Sequence, residues 1–339
     1  MKGTDAQTAL QQMTQDPRVA QMISVATELG IAALLRDGPK SCDELAAAVS
    51  AHPRALYRLL RALASRGVFA ETEDRRFDLT PLAAHIQAMP ADALPTFAPP
   101  EHMEWRWKPW GELLYSVRTG KPAFEHVYGM STFKYFCQNP GAAKSFRDLM
   151  DGVARSTAAQ VLQVCDLAGV ERLVDVGGGR GTLLAAILKA CPRMRGILFD
   201  LPYVIEGARD TIDREGVADR CELVPGDFTT EPVPVGDAHI LSHVIHDWDD
   251  AQATAILKNC RQSLPAHGRL LVVEAVVPPG NEPSWSKTND LDMLVLEGGL
   301  ERTEAEFRAL YDRAGFRLTG MTRLPPRQSG KSAIEGVPI

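Results

Sequence analysis

Four apolar runs in the carboxyl-terminal half of the chain end in residues that can bind polar groups or move protons. The first, LVDVGGGRGTLL (Leu173 to Leu184), carries Asp175 and then Gly177, Gly179 and Gly181 in a G-x-G-x-G pattern. The second ends in Asp200 within ILFDLP, and the third in Asp227 and Phe228 within PGDF. The fourth, LSHVIHDWDD, holds His243 and His246. A carboxylate two residues before the first glycine repels a pyrophosphate and suits a cation such as an amino acid's ammonium group. Thr182 stands where a nicotinamide-dinucleotide fingerprint has glycine or alanine, and no G-x-x-x-x-G-K-[ST] loop is present. Asp200 follows the turn at the distance where a carboxylate accepts hydrogen bonds from ribose hydroxyls. Asp227 can accept from an adenine amino group, and Phe228 offers a flat face for stacking. Taken singly, these residues have ordinary uses: glycines in tight packing, Asp200 as a helix cap, Asp227 as a turn residue. At three successive strand ends they describe a site for a ribose, an adenine and an ammonium without phosphate. S-adenosylmethionine has that composition.

The elements that must position these residues alternate: RLVDVGG, GTLLAAILKACP, RGILFDLP, VIEGARDTIDREG, CELVPGDF, AHILSHVIHDW, AQATAILKNCRQSL and GRLLVVEAVVPP read β-α-β-α-β-β-α-β. That order implies an α/β fold, a mostly parallel sheet with helices on both faces and ligands beyond the carboxyl ends of its strands. ERTEAEFRALYDRAG reads as a further helix, and FRLTGMTRL with SAIEGVPI as a terminal hairpin. On an extended segment His243 and His246, three apart, point to opposite faces, so one of them faces the ligand crevice. A histidine there serves either as a general base or as a capping or core residue beside Trp248.

The first half reads as mostly helical. Ser41 and Glu44 form a capping box, the helix after His52-Pro53 aligns Leu56, Leu59, Leu60 and Leu63, and VFAE and RFDLT flank a polar turn. Two helices and a strand hairpin make a winged helix. Such a domain can read DNA with Arg54, Arg58, Arg61 and Arg66, but seven Lys/Arg against six Asp/Glu between Gly38 and His85 leave little attraction for phosphates, and a solvated face is the simpler reading. Pro90 to Pro100 reads as a loop, and the aromatic segment that follows places Trp107 and Trp110 near one face, for acceptor binding or for packing. The boundaries drawn are residues 1–100, an aromatic-rich helical connector 101–160, and a ligand-binding domain 161–339. The chain has 339 residues, a net charge of −6 and six scattered cysteines without metal-site or disulfide-framework spacing. No apolar run reaches membrane-span length, and the start lacks a signal-peptide core. These features fit the cytoplasm, with neither nucleic acid nor membrane as partner.

LVDVGGGRGTLLAAIL, LFDLP, PGDF, LSHVIHDWDD and LEGGLERTEAEF, in this order over nearly the whole chain, resemble the class I S-adenosylmethionine-dependent O-methyltransferases. The group joins plant caffeate-type enzymes to bacterial antibiotic and pigment methyltransferases. The resemblance implies a Rossmann-like methyltransferase sheet behind a winged-helix dimerisation domain, a homodimer, and metal-independent methylation of a hydroxyl on a small aromatic acceptor, with S-adenosylhomocysteine as product. It places the general base at His246, with Glu274 and Glu301 flanking it. It places the cofactor on Asp175, Gly177, Gly179, Asp200, Leu201, Asp227, Phe228 and Ser242, and the acceptor on Asp247, Trp107, Met150 and Met293. Plant relatives carry lysine at the position of Ser242, which can hydrogen-bond but supplies no charge. Two other classes fit the pieces: a DNA-binding regulator with the adenosyl ligand as effector, and a binding protein that has lost catalysis.

Overall fold

A computed structural model describes residues 17–88, 104–325 and 330–339. The stretch read as a loop, 90–100, lies outside them. The chain forms two compact units, Met1–Ala143 with Pro278–Leu300, and Lys144–Val277 with Glu301–Ile339. These divisions differ from those drawn at residues 100 and 160. Helix Trp285–Leu296 packs against helices Pro53–Ala64, Glu104–Gly111, Leu113–Thr119 and Ala123–Tyr128 of the first unit, so a segment from late in the chain belongs with the early one.

In the first unit, helices Pro17–Glu28 and Ile31–Leu34 are separated at Gly30, whose φ is +67°. Helix Cys42–Val49 begins on the expected box: Glu44 N–H donates to Ser41 Oγ at 3.2 Å, and Ser41 N–H to Glu44 Oε2 at 2.6 Å. Helix Pro53–Ala64 buries Leu56, Leu59, Leu60 and Leu63 completely. Strands β1 (Lys40–Ser41), β2 (Phe69–Thr72) and β3 (Arg76–Leu79) form an antiparallel sheet in the order β1-β3-β2, completing the winged helix. Arg58 and Arg61 depart from the solvated face expected of them. Both are 6% exposed. Arg58 Nε lies 3.0 Å from Asp290 Oδ1, and Arg61 pairs with the other oxygen of that carboxylate. Trp110 Nε1 and Arg106 Nη2 donate to the two oxygens of the buried Asp292, each at 2.6 Å.

The second unit holds β4 (Arg172–Val176), β5 (Arg195–Asp200), β6 (Cys221–Pro225), β7 (Ala238–Ser242), β8 (Arg269–Ala275), β9 (Phe316–Arg323) and β10 (Lys331–Pro338). Their order is β6-β5-β4-β7-β8-β10-β9. Strands β4 to β8 are parallel, while β10 runs antiparallel between β8 and β9, so the expected terminal hairpin closes the sheet. Side chains alternate between two cores. Leu173, Leu198, Ile240 and Val273 face helices Pro140–Val164, Thr182–Ala190 and Pro202–Arg214. Val174, Val176, Leu241 and Val272 face helices Asp250–Ser263 and Glu304–Ala314. Both faces are covered, as a parallel sheet requires. The chain leaves β4 toward β5 on one side and reaches β7 on the other, so the carboxyl end of β4 is the topological switch point where a ligand crevice opens. No described helix is long and apolar enough to cross a membrane.

Candidate active site

The glycine turn sits at the switch point. Gly177 has φ +70° and Gly179 φ +60°, conformations that side chains resist. A Cβ on Gly177 would stand 2.8 Å from Val244 Cγ2 and 3.2 Å from Phe228 Cε1, so the missing side chain lets the ends of β6 and β7 close on the turn. A Cβ on Gly179 would meet nothing within 4 Å; that flank of the turn is open for a ligand to approach the backbone.

Asp175 is 1% exposed and lies beneath this turn: its carboxylate would be 2.5 Å from a Cβ on Gly178. Neither oxygen makes a hydrogen bond of good geometry within the described residues. Burial pushes its pKa up to about 7, Asp200 adds to the shift, and the N–H of Leu184 opposes it. Asp200 closes β5. Its Oδ2 accepts from Gly179 N–H at 2.8 Å and its Oδ1 from Leu201 N–H at 2.7 Å. Burial raises its pKa to about 6 against those two donors. Each oxygen has further acceptor capacity, which fits a pair of ribose hydroxyls. Leu201 also starts helix Pro202–Arg214. Asp227 is a turn residue as well: its Oδ1 accepts from Thr229 N–H at 2.9 Å and Thr229 Oγ1 at 2.5 Å. Phe228 stands edge-on to Trp248, with ring centres 6.2 Å apart. Ser242 Oγ is 3.0 Å from His243 Nδ1.

The fourth strand end departs from the extended segment assumed for it. His243 has φ +57°, and Ile245–Asp247 forms a 3-10 turn. The two imidazoles therefore do not point to opposite faces; their centres are 5.6 Å apart. Burial, with the charges of Lys331 and His246, sets the His243 pKa well below its ordinary value, so this ring is neutral. His246 is the reverse case. Its Nδ1 lies 3.0 Å from Glu301 Oε1 and 3.3 Å from Glu274 Oε2, and its Nε2 lies 3.5 Å from Asp247 Oδ1. Burial disfavours the imidazolium, but Glu274, Glu301 and Asp247 outweigh it and hold the pKa well above 6.5. Burial raises Asp247 to about 6 and Glu274 to about 7, with His246 opposing both shifts. With Nδ1 facing carboxylates, the neutral ring keeps its proton there and presents Nε2 as acceptor. His246, Glu274 and Glu301 also offer one nitrogen and two carboxylates within 4.8 Å of one another, a donor set of the type that can hold a divalent cation.

Two supports of this turn are of different legibility. Glu274 Oε1 accepts from the N–H groups of Val244 and Ile245 at 2.9 Å and of His246 at 3.4 Å, so it holds the backbone as well as the ring. Arg302 went unread. It is fully buried and donates to Ile245 O at 3.0 Å, Trp248 O at 2.9 Å and Asp250 Oδ1 at 3.0 Å. The available signal was its place beside Glu301 in LERTEAEF. Of the acceptor candidates, Asp247 and Met150 belong to the unit of His246, and Trp107 and Met293 to the other unit; the last three are half-buried.

Residues 110–317 match the O-methyltransferase domain family, and residues 12–86 match the O-methyltransferase dimerisation domain. The chain is 43% identical over 330 residues to a phenazine O-methyltransferase of Lysobacter antibioticus, covering 97% of this chain and 96% of that one. The crystal structure of LaPhzM superposes with a TM-score of 0.71 at 41% identity, over 99% of this chain and 100% of that one. The O-methyltransferase NcsB1 from neocarzinostatin biosynthesis, solved with S-adenosylmethionine and 2-hydroxy-5-methyl naphthoic acid, gives a TM-score of 0.61 at 29% identity, over 99% and 97% of the two chains.

Proposed function

This chain belongs to the S-adenosylmethionine-dependent O-methyltransferases, and from that premise we propose that it methylates a hydroxyl of a small aromatic secondary metabolite, with His246 as general base. Similarity to a phenazine O-methyltransferase and to a naphthoate-bound relative supports a fused or substituted aromatic acceptor.

Bound S-adenosylmethionine supplies a methyl group on a sulfonium that is already a good leaving group. The protein's work is to hold the partners in line, exclude water and take the hydroxyl proton. Asp200 and Leu201 take the ribose end, and Asp227, Phe228 and Ser242 the adenine end. Gly177 and Gly179 admit the amino-acid end, with the charge of Asp175 below them favouring its ammonium. A phenol has a pKa of about 10, so a base is needed near neutral pH. The observation that carries this assignment is the placement of His246 Nδ1 against Glu301 and Glu274, which orients the ring and strengthens Nε2 as proton acceptor. Asp247 Oδ1 stands 3.5 Å from that nitrogen, which supports its assignment to contact with the acceptor hydroxyl. The assignment of Trp107, Met150 and Met293 to the acceptor rests on the family resemblance.

We assign the buried His246, Glu274 and Glu301 cluster to proton handling rather than to a metal, because the imidazole nitrogen nearest both carboxylates, Nδ1, stands at hydrogen-bond distance from Glu301 Oε1 and is occupied by a proton there. The match to the dimerisation domain supports a homodimer. A DNA-reading role is not favoured, since Arg58 and Arg61 of the second winged-helix helix are spent on Asp290. The test is incubation with methyl-labelled S-adenosylmethionine and a panel of hydroxylated aromatics, with and without a chelator. Labelled ether product in both conditions is expected. No transfer to any phenol, catechol or naphthoate, or transfer abolished by the chelator, would overturn the reading.

A further inference from the structure

Arg180 lies between Gly179 (φ +60°) and Gly181 (φ +73°), where the backbone has least intrinsic restraint. Gly181 is also the cap of helix Thr182–Ala190 and provides no side-chain hydrogen bond to it. Gly181 N–H donates to Gly178 O at 3.0 Å within the turn, and the side chains of this limb are held from elsewhere. Asp151, on helix Pro140–Val164 and 29 positions before Arg180, accepts from Arg180 Nη1 at 3.0 Å on one carboxylate oxygen. On the other it accepts from Thr182 Oγ1 at 3.2 Å. One carboxylate thus bridges the residues on both sides of Gly181, and it brings a negative charge to a helix start, where the backbone dipole favours it. The opposite limb is held separately, by Gly179 N–H on Asp200.

We infer that Asp151 is a positioning residue for the cofactor turn. It fixes the Arg180–Thr182 limb so that the Gly177–Gly179 backbone and the Asp200 carboxylate stand in binding geometry before the cofactor arrives. The inference rests on the reading of this turn as the S-adenosylmethionine site. It differs from a merely structural ion pair in what it should cost to lose. The side chains of Arg180 and Asp151 are 32% and 16% exposed, and an ion pair within reach of water adds less to global stability than one sealed in the interior. Its ordering of the turn instead lowers the entropy that binding would otherwise have to remove.

Three measurements on the full-length protein separate these roles: calorimetric S-adenosylhomocysteine binding, thermal denaturation, and hydrogen exchange of the amides of residues 177–184. Asp151→Ala is expected to weaken S-adenosylhomocysteine binding about 10-fold. Its Tm should stay within about 2 °C of wild type. The turn amides should exchange faster in the free variant and regain wild-type protection when ligand is bound. KM for S-adenosylmethionine should rise by the same factor as Kd, with kcat at saturation within about twofold. Asp151→Asn, which keeps an acceptor for Thr182, should lose less. The inference is overturned by wild-type affinity in Asp151→Ala, or by Tm and kcat falling together with affinity. Wild-type protein that binds no S-adenosylhomocysteine would instead sink the reading of the turn itself, a failure distinct from that of the clamp.

Discussion

Replacing Glu301 by glutamine keeps the shape of the side chain and removes the charge 3.0 Å from His246 Nδ1. An opposite charge this close moves a pKa by roughly 1–3 units. Glu274 remains 3.3 Å away, so the expected fall for His246 is about 1–2 units, or about 1.4–2.7 kcal/mol. The direction follows from the charge state that works: the base must be neutral, and the wild-type pKa is well above 6.5. Wild-type kcat/KM should therefore climb with pH through and beyond neutrality. In Glu301→Gln the climb should begin at lower pH and level off at a lower plateau, by about 3–10-fold, because a weaker base takes the proton less readily. The deficit should be large at pH 9 and small at pH 6. The ion pairing also stabilises the fold fully below pH about 6.5, and that contribution fades as pH rises through the raised value, so the variant should lose more stability at pH 6 than at pH 9. The assay is a pH–rate profile with an identified acceptor at saturating cofactor. A midpoint that stays put, or moves up, would refute the argument that Glu301 sets the basicity of His246.

Cofactor affinity should track the buried acids: with Asp175 at about 7 and Asp200 at about 6, S-adenosylhomocysteine binding should weaken as pH falls from 8 to 5, by up to about 10-fold per pH unit for each linked proton. Calorimetry giving one affinity across that range would contradict it, and Asp175→Asn should remove the upper limb of the dependence. Arg302→Met removes the side-chain donor from the carbonyls of Ile245 and Trp248 and the cation beside Asp250, and should cost roughly 3–5 kcal/mol, read as a shift of the urea transition. Arg302→Lys should lower kcat more than it weakens S-adenosylhomocysteine binding, and an unchanged kcat would show that the turn does not need the clamp. Asp290→Asn, which removes the negative charge facing the buried Arg58 and Arg61, should destabilise the first unit by roughly 3–5 kcal/mol, whereas replacing all three by apolar residues of similar volume should recover most of the loss.

What could be read from the sequence was local. The G-x-G-x-G turn, the acids at the ends of β5 and β6 and the alternation of strands with helices are each set within a few residues, and a mostly parallel sheet covered on both faces follows from them. The capping box at Ser41 and Glu44 is of the same kind. The histidine geometry was harder, because it depends on a positive φ at His243 and a 3-10 turn at Ile245–Asp247 that no periodicity announces. That turn is imposed from a distance, by Glu274 on its N–H groups and Arg302 on its carbonyls. Helix Trp285–Leu296, for which the sequence reading has no element, is illegible for a similar reason. Its membership in the first unit is fixed by Asp290, whose partner Arg61 lies 229 positions away, and by Asp292, which accepts from Arg106 and Trp110. Arginines on the second helix of a winged helix look solvated or DNA-facing until the carboxylate that buries them is known.

Removal of the acceptor proton by His246 is tested by single-turnover methyl transfer in wild type and His246→Ala, with S-adenosylhomocysteine affinity measured on the same samples. Cofactor affinity should be nearly unchanged, while the transfer step slows by roughly 100-fold or more at pH 7. The deficit should shrink as pH approaches the acceptor's own pKa, where the hydroxyl ionises unaided. Equal transfer rates in the two proteins between pH 6 and 8, on an acceptor whose hydroxyl is still protonated there, would contradict the account.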